Sequence, residues 1–221
     1  LRLYEKLKVP CKMLIGTWNH DMPDTAIPGP RIDYLPEVVR WLDHWCKGRA
    51  TGIMEEPPIT VYMQESEPPE ADRLDTRGHW RCETQWPPPG SGEKFFYPAI
   101  DKKLVAETAE NGADRFRYEP TVGIYGGLFS GGIPFGLPAD QRPDEALSLT
   151  YTTAPLEKDL YVLGRPRVRL FAESTASVIG FVAALSDVSG DGSSHLVSKG
   201  ALNATRRYSL TQPEPLSPGE I

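Results

Sequence analysis

The sequence predicts a mainly β protein in which a β-sandwich of two packed sheets follows an N-terminal strand and helix. Three observations carry that prediction. The chain holds 22 prolines among 221 residues, about twice the usual share of roughly 5%, and proline breaks helix interiors. Hydrophobic residues recur with helical spacing only as far as Gly48 and with strand spacing after it. The run 178–185 is apolar at successive positions, as a central strand covered on both faces would be. An apolar fraction of 39% with 10% aromatics excludes a disordered chain, and this length suffices for one large or two small domains.

The elements follow in order. Met13, Leu14, Ile15 and Gly16 read as the end of a buried strand; Thr17-Trp18-Asn19 turns the chain; and His20 is left at the mouth of a loop, where catalytic groups tend to sit. Residues 33–48 form the one strong helix, with Leu35, Val38, Val39, Leu42, Trp45 and Cys46 on one face that should be buried. Asp33 is placed to cap its amides, Pro36 suits the first turn, Glu37 suits the positive end of the dipole, and Gly48 suits a left-handed terminus. His44 falls off the apolar stripe and reads as a solvated residue near the helix end.

Beyond Gly48 the candidate strands are 59–63, 79–82, 94–97, 167–171, 178–188 and 201–210, punctuated by Pro, Gly and Asp. Residues 113–154 hold Gly-Gly pairs and prolines with little periodicity, and read as a long functional or covering loop. Asp191-Gly192 lies between two strand-like runs and predicts a hairpin. The same stretch fails as a calcium loop, because Ser189 and Ser198 stand at the third and twelfth places where ligating side chains are required. His195 then starts a strand.

Net charge is −6, which gives no basic footprint, so neither nucleic acid nor an anionic membrane is expected as a partner. No run approaches the ~18 apolar residues of a membrane span, and the N-terminus lacks a signal-peptide pattern. The first residue is Leu, which reads as processing or as part of a longer polypeptide. Cys11, Cys46 and Cys82 are odd in number and lack CxxC spacing, so neither a zinc site nor a disulfide framework is indicated and no metal or other cofactor is expected. Buried free thiols are expected instead, which leans towards a reducing, cytoplasmic setting. Asn203-Ala204-Thr205 matches a glycosylation acceptor but falls inside a predicted strand.

No serine or cysteine of the chain stands in a nucleophile's setting. A hydrolase elbow needs Gly-x-Ser-x-Gly so that the backbone turns sharply around an exposed hydroxyl; Ser130 has Leu128 two places before it, and neither Ser91 nor Ser193 has the pattern. Cys11 precedes a strand and lacks the helix N-terminal setting that would lower its pKa. His20 stands as a candidate base with nothing to activate.

Taken in series, Gly16-Thr-Trp-Asn-His20, the helix end Arg40-Trp-Leu-Asp-His-Trp-Cys-Lys-Gly48 and Pro58-Ile-Thr-Val-Tyr-Met63 resemble the end of the α/β-hydrolase domain in the acyl esterase and Xaa-Pro dipeptidyl-peptidase group, the cocaine esterase-like hydrolases. Pro120-Thr-Val-Gly, Asp140-Gln-Arg, the stretch Leu149-Thr-Tyr-Thr-Thr-Ala-Pro-Leu-Glu157, Leu163-Gly-Arg-Pro-Arg-Val-Arg-Leu170 and the stretch from Ala184 to Ser194 are similar to that family's C-terminal jelly-roll domain, a galactose-binding-like sandwich. The resemblance covers nearly the whole chain in consistent order.

It implies that residues 1–50 are the C-terminal remnant of the hydrolase domain and residues 51–221 a jelly roll truncated at its C-terminus. Chain order in such hydrolases runs Ser, acid, His, so the resemblance implies that His20 is the general base of a triad whose other members lie upstream. Trp18, two residues before it, should pack beneath the loop. The implied activity is serine hydrolysis of ester or amide bonds, including Xaa-Pro peptides, through an acyl-enzyme; this chain alone should be inactive. Its implied partners are a small ester or peptide substrate and the remainder of the hydrolase, and self-association into a homo-oligomer is compatible with the strand edges and apolar helix face that a cut chain would expose. The alternative is a non-catalytic jelly-roll module that binds carbohydrate or protein, with Trp80 and Trp86 as a stacking platform.

Overall fold

The computed structural model describes residues 1–108, 110, 112–127 and 137–220. A short helix, α1 (Arg2–Lys6), leads to strand β1 (Met13–Ile15), and helix α2 (Leu35–Lys47) leads to β2 (Ile59–Gln64). Strand β2 runs parallel to β1, with Met13 opposite Ile59 and Ile15 opposite Val61. Strand β3 (Gly78–Glu83) then pairs antiparallel with β2, so β2 is central in a three-stranded sheet. Alternation explains the position of β2: Ile59, Val61 and Met63 are buried on one face, while Thr60 and Tyr62 point to the other.

The rest of the chain builds two smaller sheets. Strands β4 (Tyr97–Pro98) and β5 (Leu104–Val105) pair around a single 3₁₀ turn. A third helix, α3 (Arg142–Glu145), precedes the long hairpin of β6 (Gly180–Val188) and β7 (Ser194–Asn203). The turn is the one expected from Asp191-Gly192. Gly192 takes a φ of 83°, and Asp191 Oδ1 accepts hydrogen bonds from the Ser193 amide at 2.9 Å and its hydroxyl at 2.7 Å. The carboxylate is thus spent on the turn. His195 lies in β7 opposite Asp187.

Several sequence expectations are corrected. Helix α2 is capped at Tyr34, with no side-chain capping bond, instead of at Asp33. Gly48 does terminate it in the left-handed conformation, its amide bonded to His44 O at 3.1 Å. The apolar stripe of α2 is exposed instead of buried: Leu35 is 53%, Val39 54% and Trp45 48% accessible. The helix is held by polar contacts on its other side, where Arg40 pairs with Glu37 and Glu56 and exchanges hydrogen bonds with Thr51. The three thiols are free as expected, yet Cys46 and Cys82 are exposed, Cys46 because it shares that uncovered stripe.

Residues 167–171 form no strand; Phe171 is 85% exposed, and apolar alternation makes a strand only where a neighbour supplies the ladder. The 201–210 expectation is shifted, since β7 ends at Asn203, whose side chain accepts from the Thr205 amide and hydroxyl and starts a 3₁₀ turn. Residues 94–97 contribute only Tyr97 to a strand. Two large facing sheets are not assembled among the described residues, and Ser130 and part of the expected 113–154 loop lie outside them.

Candidate functional site

The loop after β1 is built around its first turn. Gly16 lies directly under the indole of Trp18, so close that a Cβ there would come within 2.5 Å of Trp18 Cε2. Trp18 therefore packs flat on the strand end, as expected, and its Nε1 donates to Pro30 O at 2.6 Å. Thr17 is buried and its hydroxyl donates to Gly29 O at 2.6 Å. These bonds fold residues 17–30 back on themselves and leave His20 exposed on the outer curve, in an open recess lined by Asn19, His20, Asp21 and Met22.

Asp21 is not the carboxylate partner of that imidazole. Its Oδ1 accepts from the Met22 amide at 2.8 Å and from the Thr25 hydroxyl at 3.2 Å, stabilising the next turn. No hydrogen bond joins the His20 ring to another described side chain. The recess thus presents a solvent-facing imidazole with neither a nucleophile nor a carboxylate hydrogen-bonded to it among the described residues, which also contain no cluster of three His, Cys, Asp or Glu able to hold a metal.

Across the sheet, Tyr62 on β2 and Trp80 on β3 are direct cross-strand partners, their rings 5.1 Å apart and edge-on. Trp18 completes the row, 6.0 Å from Trp80. The Tyr62 hydroxyl donates to Thr76 O at 2.9 Å, and burial pushes its pKa up, helped by the nearby Glu65, Glu67 and Asp75 charges. Trp86 stands apart from this row: its Nε1 donates to Glu5 at 2.9 Å. The two tryptophans considered as a stacking platform are each engaged by other partners. Sequence reasoning anticipated Trp18 but not Tyr62, Thr76 or Gly29, which lie far along the chain; the β-branched and aromatic run Ile59-Thr-Val-Tyr62 was the only signal.

A second polar centre joins α3 to the hairpin. The hydroxyls of Ser186 and Ser194 both donate to Glu145 Oε1, at 3.1 and 2.6 Å, and the Gln141 amide donates to Ser194 O at 3.0 Å. Asp144 Oδ2 accepts from the Gly126 amide at 2.6 Å, and the Gln141 side-chain amide donates to Gly126 O at 2.9 Å. The Asp140-Gln-Arg motif therefore works as a clamp under the hairpin, with Arg142 hydrogen-bonded to Asp140 and holding its carboxyl below the usual range.

Comparison with known proteins places these features. Residues 51–221 match the X-Pro dipeptidyl-peptidase C-terminal non-catalytic domain. A cocaine esterase of Rhodococcus sp. is 34% identical over 237 residues, covering 95% of this chain and 39% of its own. A protein of Mycobacterium bovis named as a serine esterase is 29% identical over 222 residues, covering 92% of this chain and 32% of its own. The crystal structure of an aminopeptidase from a Thaumarchaeota archaeon superimposes with a TM-score of 0.69 at 21% identity, covering 95% of this chain and 37% of that one. The chain spans about a third of the length of the curated relatives it matches. Those relatives carry esterase and peptidase names, the matched domain is described as non-catalytic, and the chain belongs to the X-Pro dipeptidyl-peptidase C-terminal domain family, the C-terminal portion of esterase- and peptidase-type hydrolases.

Proposed function

We propose that this chain is the C-terminal part of a serine hydrolase that cleaves ester or amide acyl bonds through an acyl-enzyme, with His20 as the general base. The observation that carries the reading is the placement of His20: an exposed imidazole just after a strand, on a loop closed by Thr17 and Trp18, in the connection between β1 and α2 of the β1–α2–β2 parallel unit. In an α/β-hydrolase the His is the last triad member in the chain, so the serine and the acid belong to the preceding domain, to which residues 1–50 would contribute the last strand and helix. Residues 51–221 supply most of a jelly roll in that larger protein. His20 takes the proton of the serine hydroxyl during acylation and returns it to the leaving group; the upstream carboxylate fixes its tautomer.

The substrate is a small acyl ester or a peptide, including Xaa-Pro peptides. In the complete hydrolase, His20→Ala lowers kcat/KM for its substrate by about 10⁴- to 10⁶-fold. Purified residues 1–221 give no turnover. Esterase activity of the isolated chain that survives His20→Ala would overturn the assignment.

A further inference from the structure

We propose that the His20 loop is held in its working position by a closed ring of contacts that runs through the C-terminal domain, with Thr17 and Trp80 as positioning residues; this rests on the reading of His20 as the base. The ring closes at one oxygen. Gly29 O accepts from the Thr17 hydroxyl at 2.6 Å and from the Thr76 amide at 3.2 Å, which occupies both lone pairs of that carbonyl. Thr76 O in turn accepts from Tyr62 Oη at 2.9 Å; Tyr62 packs edge-on against Trp80; and Trp80 contacts Trp18, the residue after Thr17.

Four of the six members are fixed by a second feature. The Gly29 amide donates to Leu74 O at 2.8 Å, and a Cβ on Gly29 would come within 2.1 Å of Asp75 Oδ1, so a side chain there would require the Asp75 carboxylate to move. Trp18 is held from below by Gly16 and from its edge by the bond to Pro30 O. Tyr62 and Trp80 share a register position in a six-residue ladder. The loop is therefore anchored three residues before His20 and nine residues after it, while the imidazole itself stays exposed.

The chemistry makes this arrangement consequential. A general base must sit within hydrogen-bond reach of the hydroxyl it deprotonates, and a displacement of about 1 Å costs on the order of 10²-fold in rate. A loop tied only to β1 would leave His20 on a single tether. Residues 74–80, which belong to the domain described as non-catalytic, supply the second support. Thr17 and Trp80 touch no reacting atom in this scheme; they act through the backbone that carries His20.

The test uses the complete hydrolase with a p-nitrophenyl acyl ester, and kcat is referred to active serines titrated by their acylation burst, so that unfolded molecules drop out. Thr17→Val and Trp80→Ala are expected to lower kcat per titrated site by about 10- to 100-fold with KM within about twofold. Thr17→Ser and Trp80→Phe, which keep the hydroxyl and the ring, are expected to recover most of that loss. If kcat per titrated site stays within twofold of the parent in Thr17→Val and Trp80→Ala while His20→Ala abolishes turnover, the ring is overturned and the triad reading stands. Turnover that survives His20→Ala overturns the functional reading itself, and the ring falls with it.

Discussion

Glu67 sits between two guanidinium groups and shows how much a single half-buried carboxylate carries. It pairs with Arg73, whose side chain is only 8% exposed, and with Arg77 at 3.1 Å. Burial pushes its pKa up, but the hydrogen bond from the Arg77 amide and the charges of Arg73 and Arg77 outweigh it and hold the carboxyl below its ordinary value of 4.5. A group depressed on folding stabilises the protein above its unfolded pKa and loses that contribution as pH falls through the folded value. Stability should therefore decline as pH drops below about 4.5. Glu67→Gln should flatten that decline and, at neutral pH, cost about 2 kcal/mol by removing the nearer of the two carboxylates that face Arg73; urea titrations at pH 7 and pH 4 of both proteins check it. Residues of this kind were not legible in the sequence, where Glu67 is one acid in the run Glu65-Ser-Glu67-Pro-Pro-Glu70. His20 was legible, because a turn after a short apolar strand can be read locally. Its supports at Gly29, Thr76 and Trp80 were not, since they come together only through strand pairing.

At the scale of elements, α2 and the β6–β7 hairpin were the most legible parts, both marked by periodicity and by a glycine at a positive φ, Gly48 at 64° and Gly192 at 83°. What the sequence misread was the surroundings of α2. Its amphipathic pattern predicts a buried face, and the described residues leave that face uncovered. Leu42→Ser should then shift the melting temperature of isolated residues 1–221 by less than about 1 °C, as surface substitutions do. In the complete hydrolase, where the proposed preceding domain covers the stripe, the same change should cost about 2–4 kcal/mol. Equal effects in the two proteins would show that the helix is uncovered in both. The failed strand at 167–171 has the same origin: Val168, Leu170 and Ala172 alternate with Arg167 and Arg169, but a strand is a property of a pair.

The whole chain exposes 16,218 Å². A compact monomer of 24.5 kDa exposes about 10,000 Å², so the excess, about 6,000 Å², exceeds even the 2,000–5,000 Å² of typical obligate interfaces. Among the described residues the buried apolar core is correspondingly small, centred on Ile59, Val61 and Met63 with Ala26, Ile53, Leu196 and Ala204. Isolated residues 1–221 should bind the dye ANS strongly and associate with rising concentration, and joining them to the preceding domain should suppress both. Fluorescence titration and light scattering decide it; weak dye binding by the isolated chain would contradict the uncovered surface. Mainly β character was legible from composition, whereas the extent of the open surface was not, because burial depends on what stands opposite. The shared oxygen of Gly29 also sets an order in time. Synthesis proceeds from the N-terminus at roughly 5–20 residues per second, so Thr76 emerges several seconds after the glycine it must bond, and Trp80 later still. The loop bearing His20 reaches its final form only after that second segment arrives, so in the proposed hydrolase a nascent chain works below its full rate until residues 74–80 have been made.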